Sequence, residues 1–168
     1  MTSIWLGKLL LLTGSSALGF LRGQELKNRA ACLADFRRAL GVLSRELTFS
    51  LRPLPELAAG VQGDGPAGVF FGLCRREFQT SGGESWTESW QKALKESPLP
   101  LKEEDLQILR EAGEVLGRYD GDSQRKAMEG LLDRLEENLA EARAEAKRMV
   151  RVYGTLGIAA GLFACILL

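Results

Sequence analysis

The stretch SQRKAMEGLLDRLEENLAEARAEAKRMVRVY, residues 123–153, decides the fold. Within it Met128, Leu132, Leu135, Leu139, Ala142, Ala146, Met149 and Tyr153 recur at alternating spacings of four and three. That is the heptad seam of a helix with one narrow buried face. From Leu131 to Tyr153 there is neither Pro nor Gly, so no residue in the run breaks the backbone hydrogen-bond ladder. Val152–Leu168 follows without a single charged side chain, and Arg148, Arg151 and Tyr153 stand at its start. A helix rising ~1.5 Å per residue needs at least about 17 residues to cross a hydrocarbon core of roughly 30 Å. This segment just qualifies, so the seam is expected to continue into a C-terminal membrane span over 152–168. One helix from Ser123 to Leu168 would be about 69 Å long.

The seam needs an apolar face to pack on, and the chain supplies a matching one earlier. Leu26, Ala30, Leu33, Phe36, Leu40, Leu43, Leu47 and Leu51 define an amphipathic helix that should end near Arg52, where Pro53 disfavours further helix. The two long helices are expected to form an antiparallel pair. A homotypic coiled coil and a plain bundle face are the other uses of such a seam.

Four shorter helices are expected between them. Leu54–Val61 is followed by the Gly63-Asp64-Gly65-Pro66 turn. A third helix starts at Pro66 with Val69, Phe70, Leu73, Cys74 and Phe78 on its inner side, and Thr80–Gly83 ends it. Ser85-Trp86-Thr87-Glu88 has the Ser-x-x-Glu spacing of a capping box, with Trp86, Trp90 and Leu94 on one face of the helix it opens. Lys102–Leu116 carries Glu103, Glu104 and Asp105 in its first turn, where carboxylates favour the positive end of the helix dipole. That placement reads as a helix start and not as a metal site.

Charge along the chain separates the middle from the ends. The total is 22 Lys+Arg against 22 Asp+Glu, yet outside residues 23–151 the only charged side chains are Lys8 and Arg22. Met1–Leu21 is therefore a second span candidate. Lys8, Leu9–Leu12 and Ser15-Ser16-Ala17 also allow a cleaved signal peptide. Lys8 lies late for such a peptide, and the apolar run continues to Leu21, which favours a retained span with Trp5 in the far interfacial belt. Arg22, Lys27 and Arg29 after the first span, and Arg143, Lys147, Arg148 and Arg151 before the second, predict a cytoplasmic middle domain. The expected organisation is a transmembrane helix over 1–22, an all-helical cytoplasmic domain over 23–151 and a transmembrane helix over 152–168. The pairs Gly19/Gly23 and Gly157/Gly161 have the spacing that lets membrane helices approach closely.

The same inventory excludes much chemistry. The chain has no His, so Ser-His and Cys-His nucleophile pairs, His-bearing zinc sites and an imidazole switch are absent. Cys32, Cys74 and Cys165 are distant and read as unpaired. There is no phosphate-binding loop motif. Gly154, Gly157 and Gly161 lie in the apolar tail with no preceding strand, which rules out a dinucleotide fingerprint. Arg37-Arg38 and Arg75-Arg76 lack aromatic platforms, which argues against nucleic acid. No cofactor, metal or catalytic residue is expected, and binding is the expected work. The most individual stretch is Leu116-Gly117-Arg118-Tyr119-Asp120-Gly121-Asp122-Ser123-Gln124. Its glycines permit a tight reversal and its aspartates can cap the following helix. Leu116, Gly117, Asp120 and Gln124 are the candidate partner-binding residues.

The apolar N-terminal helix, the Arg/Leu helix running into Leu54-Pro55-Glu56-Leu57, Trp90, the Leu116-Gly117…Asp120…Gln124 turn and the apolar C-terminus together resemble the stage III sporulation protein AB family. The Leu-Gly-x-x-Asp-x-x-x-Gln element and Pro53–Glu56 are its most specific parts. The resemblance spans essentially the whole chain. It implies a non-enzymatic component of the mother-cell membrane around the forespore, belonging to a channel complex. That family is itself similar to the platform proteins of type II secretion and type IV pilus systems. The partners implied are the stage III sporulation AA ATPase and other membrane components of the same complex. A self-assembling pore or ring of packed spans, a homo-oligomer, is the competing reading.

Overall fold

The computed structural model describes the backbone of residues 2–49, 52–61, 63–83, 85–117 and 121–166, and side chains from residue 23 to 152 except 48–51, 62, 84, 118–122 and 150. Among the described residues six helices follow in order: α1 Thr2–Phe49, α2 Leu54–Ala59, α3 Pro66–Thr80, α4 Trp86–Glu96, α5 Glu103–Leu116 and α6 Gly121–Ile166. No strand occurs among the described residues, so the all-α expectation holds. The long helices are α1, with 48 residues, and α6, with 46.

Local chemistry sets the boundaries. α1 is described as far as Phe49, consistent with an end near Arg52, where Pro53 has no N–H to give the Phe49 carbonyl and disfavours helix at the residue before it; residues 50 and 51 lie outside the described ones. Pro53 then opens α2, its carbonyl accepting from the amides of Glu56 at 3.0 Å and Leu57 at 3.2 Å. α2 ends at Ala59 and not Val61, since Gly60 and Val61 tighten into bonds to Leu57 and Ala58. Past α3, Gly82 and Gly83 have φ of +76° and +79°, and Gly83 donates back to the Phe78 carbonyl at 2.8 Å. Only glycine takes that left-handed pair at little cost. At α4 the Ser85 hydroxyl accepts from the Glu88 amide at 3.2 Å, the serine half of the expected box.

The chain divides into two compact units. One comprises Ala31–Ala140; the other joins Met1–Ala30 to Glu141–Leu168. The core of the first is aromatic. Phe70 lies 5.3 Å from Phe36, 5.4 Å from Phe71 and 4.7 Å from Trp90, the last two in edge-on geometry that adds ~0.5–1.5 kcal/mol per pair beyond burial. Leu33, Leu40, Leu43, Leu109, Met128 and Leu135 complete it. Phe71 faces inward, whereas Val69, expected on the inner side of α3, is 55% exposed. On α6 the seam runs through Leu131, with Leu132 only half-buried. Arg37 of α1 pairs with Glu136 of α6 in this unit.

In the second unit Arg29 of α1 is 3% exposed and pairs with Glu145 of α6 at 3.7 Å. Arg29, one of the basic residues that follow the first apolar segment, is thus also held by a carboxylate on the other long helix. Among the described residues no helix is long and apolar enough to cross a membrane. Of the two predicted spans, 1–22 and 152–168, all side chains but that of Val152 lie outside the described ones.

Candidate functional site

α5 and α6 form an antiparallel hairpin whose closed end is the turn singled out in the sequence. Three contacts fix the register. Near the turn, the Gln124 amide donates to the carbonyls of Val115 at 3.1 Å and Leu116 at 3.2 Å. Midway, Arg134 pairs with Glu111. Furthest out, the Asn138 amide donates to Asp105 at 2.8 Å. Advancing along α6 takes each contact back along α5.

The last carbonyls of a helix have no partner within it. Gln124 supplies two of those missing donors from the next helix, so its side chain works as a clasp on the turn. Leu116 is buried, while Gly117 is exposed in a right-handed conformation with its amide bonded to Gly113 at 3.2 Å. A β-carbon on Gly117 would run into the Thr87 hydroxyl of α4, which explains glycine there. Asp120 lies outside the described residues. The structure thus brings Leu116, Gly117 and Gln124 together at one end of the hairpin, with Gly117 the exposed member.

Asp105 is the residue that pattern reading undervalued. It is fully buried, and besides Asn138 it accepts from the Lys102 amide at 3.0 Å. It caps its own helix and anchors α6 at once. Burial, followed by the nearby Asp35 and Asp105 carboxylates, pushes the Cys32 thiol up to about 12. Burial likewise raises Cys74. Both therefore stay protonated at neutral pH and are poor nucleophiles. The Arg134 guanidinium, with the Gln107 amide, holds the Glu111 carboxyl below its ordinary value.

A third tie joins α1 to α3. Asp35 accepts from the Ala67 amide at 2.9 Å and is itself held by Arg38. A depression of about 240 Å³ borders this point, lined by Asp35, Val42, Val61 and the Gly63–Gly65 turn. Another, of about 390 Å³, lies between α5 and α6 along Glu114, Val115, Ala127, Gly130 and Leu131. No group of three His, Cys, Asp or Glu suited to a metal occurs among the described residues. Of the glycines proposed for span packing, Gly23 is buried, with nothing among the described residues within 4 Å of its β-carbon position. Gly19, Gly157 and Gly161 lie outside the described side chains.

The profile of the stage III sporulation protein AB family matches residues 4–168. The stage III sporulation protein AB of Bacillus subtilis (strain 168) is 26% identical over 167 residues, covering 97% of each chain. A solved structure of stage III sporulation protein AB superposes with a TM-score of 0.66 at 27% identity, over 71% of this chain and 97% of that one.

Proposed function

Because this chain belongs to the stage III sporulation protein AB family, we propose that it is a non-enzymatic membrane platform of the sporulation channel complex. Its central helical domain receives the cytoplasmic AA ATPase, and its two apolar ends hold it in the mother-cell membrane around the forespore. The observation that carries this reading is the extent of the match. Residues 4–168 include both apolar segments as well as the helical middle, so the ends belong to the family pattern. Helix continuity supports it: α1 runs unbroken from Thr2 and α6 to Ile166, so each apolar end is part of a helix that also builds the central domain. Lys27, Arg143, Lys147, Arg148 and Arg151 are exposed near those ends, the distribution expected of a cytoplasmic boundary.

Within this reading Leu116, Gly117, Asp120 and Gln124, where α5 gives way to α6, are the docking site, and Gly117 is its exposed member among the described residues. Gln124 serves it indirectly, by holding the turn closed. The test is copurification of the intact protein from membranes of sporulating cells. Wild type should bring down the ATPase, and Asp120→Ala should lose it while retaining helical content. Recovery of the other channel components with no ATPase from wild type would refute the platform role. Orientation is checked with a cysteine at position 64, on the exposed turn before α3. It should resist a membrane-impermeant thiol reagent in intact cells and react once the cells are opened.

A further inference from the structure

In the second unit, α6 presents an unusual run of cations just before its apolar segment. Arg143, Lys147 and Arg151 are spaced four apart and so share one side of the helix, with the buried Ala142 and Ala146 on the other. Arg148 stands one residue from Lys147, and Lys27 is exposed on α1. Among the described residues, no hydrogen bond or ion pair engages Lys27, Arg143, Lys147 or Arg148. Of the acidic residues in this unit, Glu145 pairs with Arg29, Glu141 stands at the far end of the run, and Glu25 lies on α1, so cations outnumber carboxylates along this part of α6.

We infer that this stripe binds the phosphate groups of anionic phospholipids, so that the protein reads the composition of its membrane as well as crossing it. The inference rests on the anchoring proposed above. Position supports it: counting back from Val152 at ~1.5 Å per residue, Arg148 and Lys147 lie about 6–8 Å along the helix from the apolar boundary, and Arg143 about 13–14 Å. The headgroup layer is about 5–8 Å deep on each side. Arg148 and Lys147 therefore fall within it, and the long side chain of Arg143 reaches its edge. Four cations with no partner among the described residues gain most where phosphate is dense and water is scarce. Continuity with the apolar segment selects a lipid over a soluble phosphate, because the helix itself delivers the stripe to that layer.

The test titrates the full chain, in a zwitterionic detergent, with short-chain phosphatidylglycerol or phosphatidylcholine and counts bound lipid by native mass spectrometry. Saturable binding of phosphatidylglycerol is expected, weakened by salt. Each basic side chain near the surface is worth about fivefold, so the triple variant Arg143→Gln, Lys147→Gln, Arg148→Gln should bind roughly a hundredfold less. Lys147→Arg should bind as wild type. Equal uptake of phosphatidylcholine, unchanged binding by the triple variant, or equal competition by inorganic phosphate or a short oligonucleotide would overturn the inference. Alkaline carbonate extraction of the native membranes separates the two readings. Retention of the chain with lipid-indifferent binding overturns only the lipid inference, whereas release of the chain overturns the anchoring beneath it.

Discussion

Substituting Gly113 by Ala is expected to destabilise the helical domain, although alanine is the better helix former. A β-carbon at Gly113 would lie 2.6 Å from both Cγ and Nε1 of Trp90, well inside contact distance. The indole has no easy retreat. It is fully buried, donates through Nε1 to the Leu109 carbonyl at 2.7 Å, and meets Phe70 and Phe71 edge-on at 4.7 and 5.5 Å. Overpacking a close-fitting core costs about 1–3 kcal/mol, and losing the indole bond leaves a buried donor unpaired for about 1–3 kcal/mol more. Helix propensity returns about 1 kcal/mol. The net expectation is a loss of about 1–5 kcal/mol. Gly130→Ala is the internal control, since nothing lies within 4 Å of that β-carbon position on the exposed side of α6. There the propensity term acts alone and should stabilise by about 1 kcal/mol. Urea unfolding of the full chain in detergent, followed by tryptophan fluorescence, measures both. Trp90→Leu should relieve the Gly113→Ala penalty, giving a coupling of more than about 1 kcal/mol in a double-mutant cycle. Equal stability of Gly113→Ala and wild type, or additive behaviour with Trp90→Leu, would refute the argument.

Asp105→Ala should cost about 2–4 kcal/mol by stranding the Lys102 amide and the Asn138 side chain, and Asp105→Leu combined with Asn138→Leu should recover part of it; the same urea assay reads both. Gln124→Ala should cost about 1–2 kcal/mol and raise hydrogen exchange in the last turn of α5, where two carbonyls lose their donor. The Glu111 carboxyl titrates below its unfolded value of 4.5, so its contribution is present above pH 4.5 and disappears as pH falls through the lower folded value. Glu111→Gln should accordingly lower stability at neutral pH and match wild type in strong acid. Cys32 and Cys74 should react slowly with a thiol reagent at neutral pH in the native state and quickly in urea.

Local signals recovered the helices because their causes are local. Pro53 and Pro66 punctuate α1, α2 and α3, Ser85 caps α4, and the spacing of Leu135, Leu139, Ala142 and Ala146 marks the inner face of α6. Adjacent apolar residues were harder. Periodicity chose Val69 over Phe71 and Leu132 over Leu131, and the shape of the aromatic core made the opposite choice. Contacts between distant segments left no local trace. Asp105 read as one of three acids at a helix start, yet only it finds Asn138, 33 residues away. Arg29, a flanking cation in the sequence, also pairs with Glu145 of α6, which no local pattern announces. Gln124 belonged to the recognised motif, but its role as a clasp depends on where α5 ends.

The bond from Ala67 to Asp35 spans 32 residues, so the first turn of α3 borrows its acceptor from α1. Because α3 begins with Gly65 and Pro66 and has no capping side chain of its own, it is not an autonomous folding piece. In the folded domain, the start of α3 therefore depends on a carboxylate that α1 supplies. A fragment beginning after Phe49 should keep the residues of α3 and lose its ordered start.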